Sequence, residues 1–179
     1  MPANQHTLIR SYSFEGKGLH TGTYSHMELL PAPPDSGIRF CRRDLPGQPV
    51  IEALAENVTK TARSTTIASG EAEAVTIEHI MSALTGLGVD NAFIGLDNLE
   101  VPILDGSARP YTAAILRDGL ERQTALRRHL SLPECVAVND AGSGAWIRIE
   151  PAPAPRVDLT ADFSSTVLGV QQVHWDPST

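Results

Sequence analysis

Alternation of apolar and polar residues marks the first part of the chain and predicts strands. Residues 7–30 alternate on both sides of a glycine-rich segment at 15–22, with the two-residue period of a β-strand. Short runs at 38–42 and 91–96 predict two more strands. Three prolines and a glycine within 31–37 remove hydrogen-bond donors and predict a loop.

Two later segments carry the period of an α-helix. In the first, Thr76 is the candidate N-cap, because its hydroxyl can accept a hydrogen bond from a first-turn amide, and Gly86 and Gly88 are placed to end the helix. The second covers about residues 109–120, with Ser107 as candidate cap and Gly119 as its end. The apolar stripe of the first helix comprises Ile77, Ile80, Met81, Leu84 and Leu87.

The last fifty residues have no helical period. They contain four strand-like runs, at 130–139, 145–150, 157–163 and 167–175. The pattern therefore predicts an α+β fold over residues 1–127, in which two helices pack on one face of a sheet. Residues 128–179 are predicted to be the strand-rich start of a second domain that is incomplete in this chain.

Composition narrows the class of protein. Of the 179 residues, 41% are apolar and 20% are charged, as in a globular protein, and the net charge of −7 disfavours binding to nucleic acid. No apolar run approaches the roughly 20 residues of a membrane span, and no secretory signal is visible, which predicts a cytoplasmic protein. Cys41 and Cys135 have no CxxC spacing and are predicted to be ordinary buried thiols.

The adjacent residues Glu78 and His79 are the most suggestive candidates for chemistry. An imidazole can bind a metal, and a neighbouring carboxylate can take a proton from metal-bound water. The alternative is a structural role at the helix start, where the macrodipole stabilises a carboxylate by about 0.3–1 kcal/mol but offers a histidine nothing. His20 lies in the glycine-rich turn, and Asp105 precedes the second helix, where a turn residue is expected.

Five segments in this order resemble one family. The chain is similar to the N-terminal half of UDP-3-O-acyl-N-acetylglucosamine deacetylase, the zinc enzyme that commits bacteria to lipid A synthesis. The resemblance is strong over residues 7–127 and loose beyond them. The segments are GKGLHTG at 16–22, PAPPDSGIRF at 31–40, Thr65-Thr66, TIEHIMSALTGLGVDN at 76–91 and VPILDGSARPY at 101–111.

The resemblance implies a fold of two similar α+β domains with the active site between their helical layers. It implies that Glu78 is the general base and that His79 is one zinc ligand. His20 would lie near the sugar and diphosphate end of the cleft, and Asp105 near its floor. The implied reaction is hydrolysis of an acetamide, in which zinc polarises the carbonyl and Glu78 accepts the proton.

Two departures from the family pattern bear on activity. The family takes its other two zinc ligands from a His-x-x-x-Asp stretch on a helix of the second domain, and no such stretch occurs in these 179 residues. The metal site is therefore expected to be incomplete in this chain, since a catalytic zinc needs about three protein ligands. Arg63 and Ser64 stand before Thr65, where the family usually has an apolar residue and a cysteine at the edge of the substrate cleft.

Three interpretations remain open from the sequence. The chain is a short or truncated deacetylase whose activity belongs to a longer or assembled form, or a non-catalytic relative that binds a nucleotide sugar, an acylated ligand or a partner protein. In the third, two copies pair helix layer to helix layer and bring two Glu78–His79 pairs together. All three leave the helix face in need of a partner, so a homodimer is expected.

Overall fold

Strands make up most of the secondary structure. The computed structural model describes residues 3–142, 144, 146–154, 156–163 and 165–176, and within them are fourteen strands and two α-helices. The helices are α1 (Glu78–Leu87) and α2 (Arg109–Asp118). The strands are β1 (Asn4–Leu8), β2 (Tyr12–Lys17), β3 (Tyr24–Pro31), β4 (Ile38–Arg42), β5 (Val50–Glu52), β6 (Val58–Lys60), β7 (Thr66–Ser69), β8 (Ala72–Val75), β9 (Ala92–Leu96), β10 (Leu120–Leu126), β11 (Val136–Asn139), β12 (Trp146–Ile149), β13 (Val157–Asp162) and β14 (Val170–Trp175).

The chain divides into a first unit, Met1–Arg128, and a second unit, His129–Thr179. The main sheet of the first unit has five strands in the order β2-β3-β9-β4-β5. Its central strand β9 pairs antiparallel with β3 and parallel with β4, so that Ile94 lies opposite both Leu29 and Phe40. The strands predicted at 38–42 and 91–96 are confirmed within one residue.

The core of the first unit lies between this sheet and the two helices. The sheet contributes Met27, Leu29, Phe40 and Ile94, and the helices contribute Ile80, Leu84, Tyr111 and Ile115, all of them fully buried. The Tyr111 hydroxyl keeps a partner in this core by donating to the carbonyl of Pro102 at 2.8 Å. The predicted α+β class is therefore confirmed.

Both helices end at predicted glycines, Gly88 and Gly119, although Gly86 lies within α1, and the start of α1 differs from the prediction. Gly88 adopts a left-handed conformation, φ 76°, and its amide donates back to Leu84 and Thr85. At the other end, α1 begins at Glu78 with no side-chain cap, so the prediction that Thr76 caps it is wrong. The Thr76 hydroxyl donates instead to the carboxylate of Glu100. α2 begins at Arg109, but its N-cap is Ala108 without a side-chain cap, so the prediction of Ser107 in that position is wrong by one residue. The Ser107 hydroxyl still accepts from the amide of Arg109 at 3.1 Å.

Two smaller sheets complete the first unit. One contains β6, β7 and β8, and the other joins β1 to β10, the two ends of the unit. The strand β10 follows α2 directly and was not predicted. Buried amides support this pairing, because Asn91 donates to Gln5 at 2.8 Å and to Gln123 at 2.7 Å.

The second unit contains two separate hairpins, β11–β12 and β13–β14. Each strand lies inside one of the four predicted runs, although Ala145, the first residue of the predicted run at 145–150, lies outside the described residues. Cys135 is exposed, so the prediction of a buried thiol is wrong there, whereas Cys41 is buried as predicted.

Neither helix approaches the length of a bilayer. Because α1 and α2 have ten residues each, the described part of the chain contains no helix long and apolar enough to cross a membrane.

Candidate active site

The start of α1 holds the Glu78 carboxylate in a defined position. The amide of Thr65 donates to Oε2 of Glu78 at 3.0 Å, and the carbonyl of Thr65 accepts from the amide of Ile77 at 3.3 Å. Glu78 and His79 are both half-buried on the first turn of the helix. Thr65 therefore orients the carboxylate of Glu78 and also anchors the backbone of Ile77, the residue before Glu78.

The segment before Thr65 turns sharply. Arg63 has φ 63°, a left-handed conformation that is uncommon for a residue with a side chain. Arg63 is exposed, while Ser64 is half-buried. The residues that differ from the family pattern thus lie one and two positions from the amide that contacts Glu78.

A buried glutamate that the sequence reading missed lies behind this site. Glu100 has 0% exposure and ties a loop to Thr76, two residues before α1. Its carboxylate accepts from the amide of His20 at 3.0 Å, from the amide and hydroxyl of Thr21 at 2.8 and 2.7 Å, and from the hydroxyl of Thr76 at 2.7 Å. Burial alone would raise its pKa, but these amide and hydroxyl donors outweigh burial and hold the pKa of Glu100 below its ordinary value.

Thr76 is strained where it meets Glu100. It is buried with φ 61°, which makes it a conformational outlier because β-branched residues strongly disfavour the left-handed region. The flanking backbone holds it in place, since Val75 donates to Leu99 at 3.1 Å and accepts from Val101 at 3.1 Å. Such strain persists where the surroundings over-determine the conformation, and it clusters at functional sites.

His20 lies in the six-residue loop between β2 and β3. Gly18 closes this loop by donating to Thr23 at 2.8 Å and accepting from Gly22 at 3.1 Å. A Cβ at position 18 would lie 2.2 Å from Oε2 of Glu100, so only glycine permits this approach. The backbone of His20 is thereby fixed, while its side chain is exposed.

Asp105 occupies the turn before α2. It accepts from the amide and hydroxyl of Ser107 at 2.9 and 2.8 Å, and these two hydrogen bonds lower its pKa. The same segment reaches the base of the His20 loop, because Ile103 donates to the carbonyl of Lys17 at 3.0 Å. The geometry is that of an exposed turn carboxylate, linked through the backbone to β2.

An apolar groove of about 440 Å³ runs beside Glu78. Its apolar walls come from Leu54, Val58, Ile67, Ile77 and Met81, and Glu78 and Thr65 lie at its edge. The carboxylate therefore borders a surface suited to an aliphatic chain.

The donor chemistry at α1 fits zinc in kind. His79 supplies an imidazole, a ligand that zinc favours, and Glu78 is a carboxylate beside it. Among the described residues, however, no three or more His, Cys, Asp or Glu side chains are grouped closely enough to hold a metal ion. Of the residue types that zinc favours, the start of α1 thus presents one histidine, His79, beside one carboxylate, Glu78.

Comparison with known proteins identifies the family. Residues 5–179 match the model of the family LpxC, UDP-3-O-acyl N-acetylglycosamine deacetylase, and the chain belongs to this family. It is 44% identical over 167 residues to the bifunctional enzyme LpxC/FabZ of Porphyromonas gingivalis, covering 93% of this chain and 36% of that protein.

Two further relatives carry the deacetylase name. The chain is 38% identical over 177 residues to the UDP-3-O-acyl-N-acetylglucosamine deacetylase of Trichormus variabilis, covering 98% of this chain and 62% of the relative. It is 42% identical over 167 residues to that of Anaeromyxobacter sp., covering 92% and 53%. The chain therefore spans about one to two thirds of the length of these relatives.

Proposed function

We propose that this chain supplies the general base and one zinc ligand for deacetylation of an acylated UDP-sugar, a step of lipid A biosynthesis. The observation that carries the proposal is the hydrogen bond from the Thr65 amide to Glu78, which orients a carboxylate beside His79 at the start of α1. Zinc, when bound, would polarise the acetamide carbonyl and acidify a water. His79 would hold the metal, and Glu78 would accept the proton.

The surroundings of Glu78 support a substrate with a sugar and an acyl chain. The apolar groove beside Glu78 suits the aliphatic part. Thr65 lines this groove, and Arg63 and Ser64, which precede it in the chain, are assigned to the same part of the substrate. The segments that carry His20 and Asp105 are joined by the backbone hydrogen bond from Ile103 to Lys17 at the end of β2. We assign His20 and Asp105 to the polar part of the substrate. The cytoplasm is the location that the sequence predicts for this reaction.

Further ligands complete the zinc site in this proposal. A catalytic zinc takes about three protein ligands, and the family provides the others from its second domain. We assign residues 1–127 to the deacetylase-like domain and 128–179 to the start of that second domain. The missing ligands then come from additional polypeptide or from a second copy of this chain, and sedimentation equilibrium distinguishes a homodimer from a 19.2 kDa monomer.

Acetate release from UDP-3-O-acyl-N-acetylglucosamine, measured with added zinc, tests the proposal. Glu78→Gln is expected to lower the rate at least about 100-fold, the usual contribution of a general base. The matched control is Glu73→Gln, which replaces a carboxylate that pairs with Lys60 on β6 and leaves Glu78 in place. A parallel zinc titration is expected to show metal bound by the wild type and by the control but lost in His79→Ala.

The outcomes separate catalysis from binding alone. Acetate release that persists in Glu78→Gln contradicts the assignment of the base. A wild-type chain that holds zinc and binds the UDP-sugar but releases no acetate identifies the non-catalytic relative instead.

A further inference from the structure

Glu100 is a fully buried carboxylate for which the proposed chemistry has no use. Its hydrogen bonds come from two places that are far apart in sequence: the loop that carries His20, and Thr76 at the start of α1. The contacts span about eighty residues on one side and 24 on the other. One side chain therefore joins the loop assigned to the sugar end of the substrate with the turn that carries Glu78 and His79.

Both carboxylate oxygens of Glu100 accept hydrogen bonds, so one side chain contacts the His20 loop and Thr76 at the same time. The His20 amide donates to both oxygens, to Oε1 at 3.0 Å and to Oε2 at 3.2 Å. Oε1 also accepts from the Thr76 hydroxyl, and Oε2 also accepts from both donors of Thr21. A neutral amide of the same shape has one acceptor oxygen and two donor hydrogens. In Glu100→Gln, the NH2 group would therefore replace one of the two acceptor oxygens and face the hydrogen-bond donors that this oxygen now accepts from.

The hydrogen bond between Thr76 and Glu100 helps to fix the backbone just before α1, and with it the orientation of the first helical turn. Thr76 has a left-handed backbone, φ 61°, two residues before Glu78, and its hydroxyl is held by Glu100 at 2.7 Å. Releasing that hydroxyl frees the strained residue to relax toward an ordinary conformation. The first turn of α1, with the carboxylate and imidazole that it presents, would then lose its fixed direction.

We propose that Glu100 is a positioning residue that couples the His20 loop to the Glu78–His79 turn, so that the two ends of the substrate site keep one alignment. The inference rests on the proposed function for its activity readout, but the coupling itself is a property of the fold. Gly18 supports it, because its missing Cβ leaves the space in which Oε2 of Glu100 lies.

Removing one hydroxyl at either end tests the coupling. Thr76→Val keeps the branched shape and removes the hydroxyl that donates to Oε1. Thr21→Val likewise removes the hydroxyl that donates to Oε2, and the backbone amides remain as donors. Coupling predicts that each variant lowers kcat and raises KM for acetate release, each by about tenfold, since a hydrogen bond to a charged group is lost. Two independent anchors predict instead that Thr76→Val lowers kcat alone and that Thr21→Val raises KM alone, which would overturn the proposal.

Amide hydrogen exchange provides a readout that needs no turnover. In Thr76→Val, the amides of His20 and Thr21, which donate to the same carboxylate from the distant loop, are expected to exchange about tenfold faster than in the wild type. Thr76→Ser, which keeps the hydroxyl, is expected to restore both the exchange rates and the kinetic constants. Thr124→Val, at an exposed position of β10, is the matched control and is expected to change neither.

The two proposals fail in different ways. If the wild-type chain holds zinc but releases no acetate, the proposed function fails, while faster exchange at His20 in Thr76→Val still supports the coupling. If acetate is released but exchange at His20 and Thr21 is the same in Thr76→Val and Thr124→Val, the coupling is refuted and the proposed function stands.

Discussion

The two units have similar strand-forming sequences and very different burial. In the first unit, strands such as β9 place nearly every apolar side chain in the core. In the second, both faces of the hairpins are open: neighbouring residues Trp146 and Ile147 on β12 are 72% and 61% exposed although they point to opposite sides. In the first unit, side chains of α1 and α2 complete the core over the sheet, whereas the second unit has no helix among its described residues.

A leucine truncation in each unit breaks this comparison most strongly. Leu84→Ala removes a side chain with 0% exposure from α1 and is expected to cost about 2–5 kcal/mol of unfolding free energy. The matched change Leu159→Ala, at 57% exposure on β13, is expected to cost under about 0.5 kcal/mol. Urea denaturation measures both.

The aromatic residues let each unit be followed separately. All three tyrosines lie in the first unit and both tryptophans in the second, so tyrosine absorbance and tryptophan fluorescence report different units. Equal losses from the two truncations would mean that the second unit has a core of its own in solution.

The two cysteines allow the burial of the two units to be compared by the reactivity of one thiol in each. Cys41 has 3% exposure on β4, and burial raises the pKa of its thiol, so both access and the thiolate fraction are low. Cys135 in the second unit is exposed. A thiol reagent added to the native protein is expected to modify Cys135 at least about 100-fold faster than Cys41, with mass spectrometry of digests identifying the site. Labelling of both at similar rates would show that the first unit opens readily.

The smallest expected effect is a pH dependence located at Glu100. Burial opposes its ionisation but the hydrogen bonds prevail, so its pKa in the folded protein lies below the ordinary glutamate value of about 4.3. The stabilisation is therefore fully present above that ordinary value and is lost as the pH falls through the folded pKa. The wild type is expected to be more stable than Glu100→Gln at pH 7, and the two unfolding free energies are expected to converge as the pH falls to 3.

Tyrosine-monitored urea unfolding at several pH values measures this convergence. The control is Glu73→Gln, whose carboxylate is partly exposed in its pair with Lys60. Curves for the wild type and Glu100→Gln that stay parallel down to pH 3 would mean that the charge of Glu100 contributes nothing to folding.

Sequence patterns predicted those parts of the fold that depend on neighbouring residues. Gly88 and Gly119 end their helices as predicted, because a C-cap depends on local backbone conformation. The alternation before 31–37 likewise locates β3. In contrast, β10 pairs with β1 across more than a hundred residues, and its short polar sequence between a helix and a loop gives no local sign of that partner.

The site shows the same division. The adjacency of Glu78 and His79 is visible in the sequence, and their roles stay predictions. Thr76 was misassigned because its hydroxyl has two possible partners, and the buried carboxylate of Glu100 prevails over the helix amides. A lone glutamate between Leu99 and Val101 is the one signal that points to a buried charge, but its donors come from a distant loop.

The pairing of β1 with β10 also sets the timing of folding during synthesis. The first strand emerges from the ribosome early, yet its partners, such as Leu126 opposite Asn4, are the last residues of the first unit to be made. At about 5–20 residues per second, β1 waits on the order of ten seconds without its partner. The nascent chain therefore holds β1 without its β10 partner throughout that interval, and this two-stranded sheet can close only after β10 has been made.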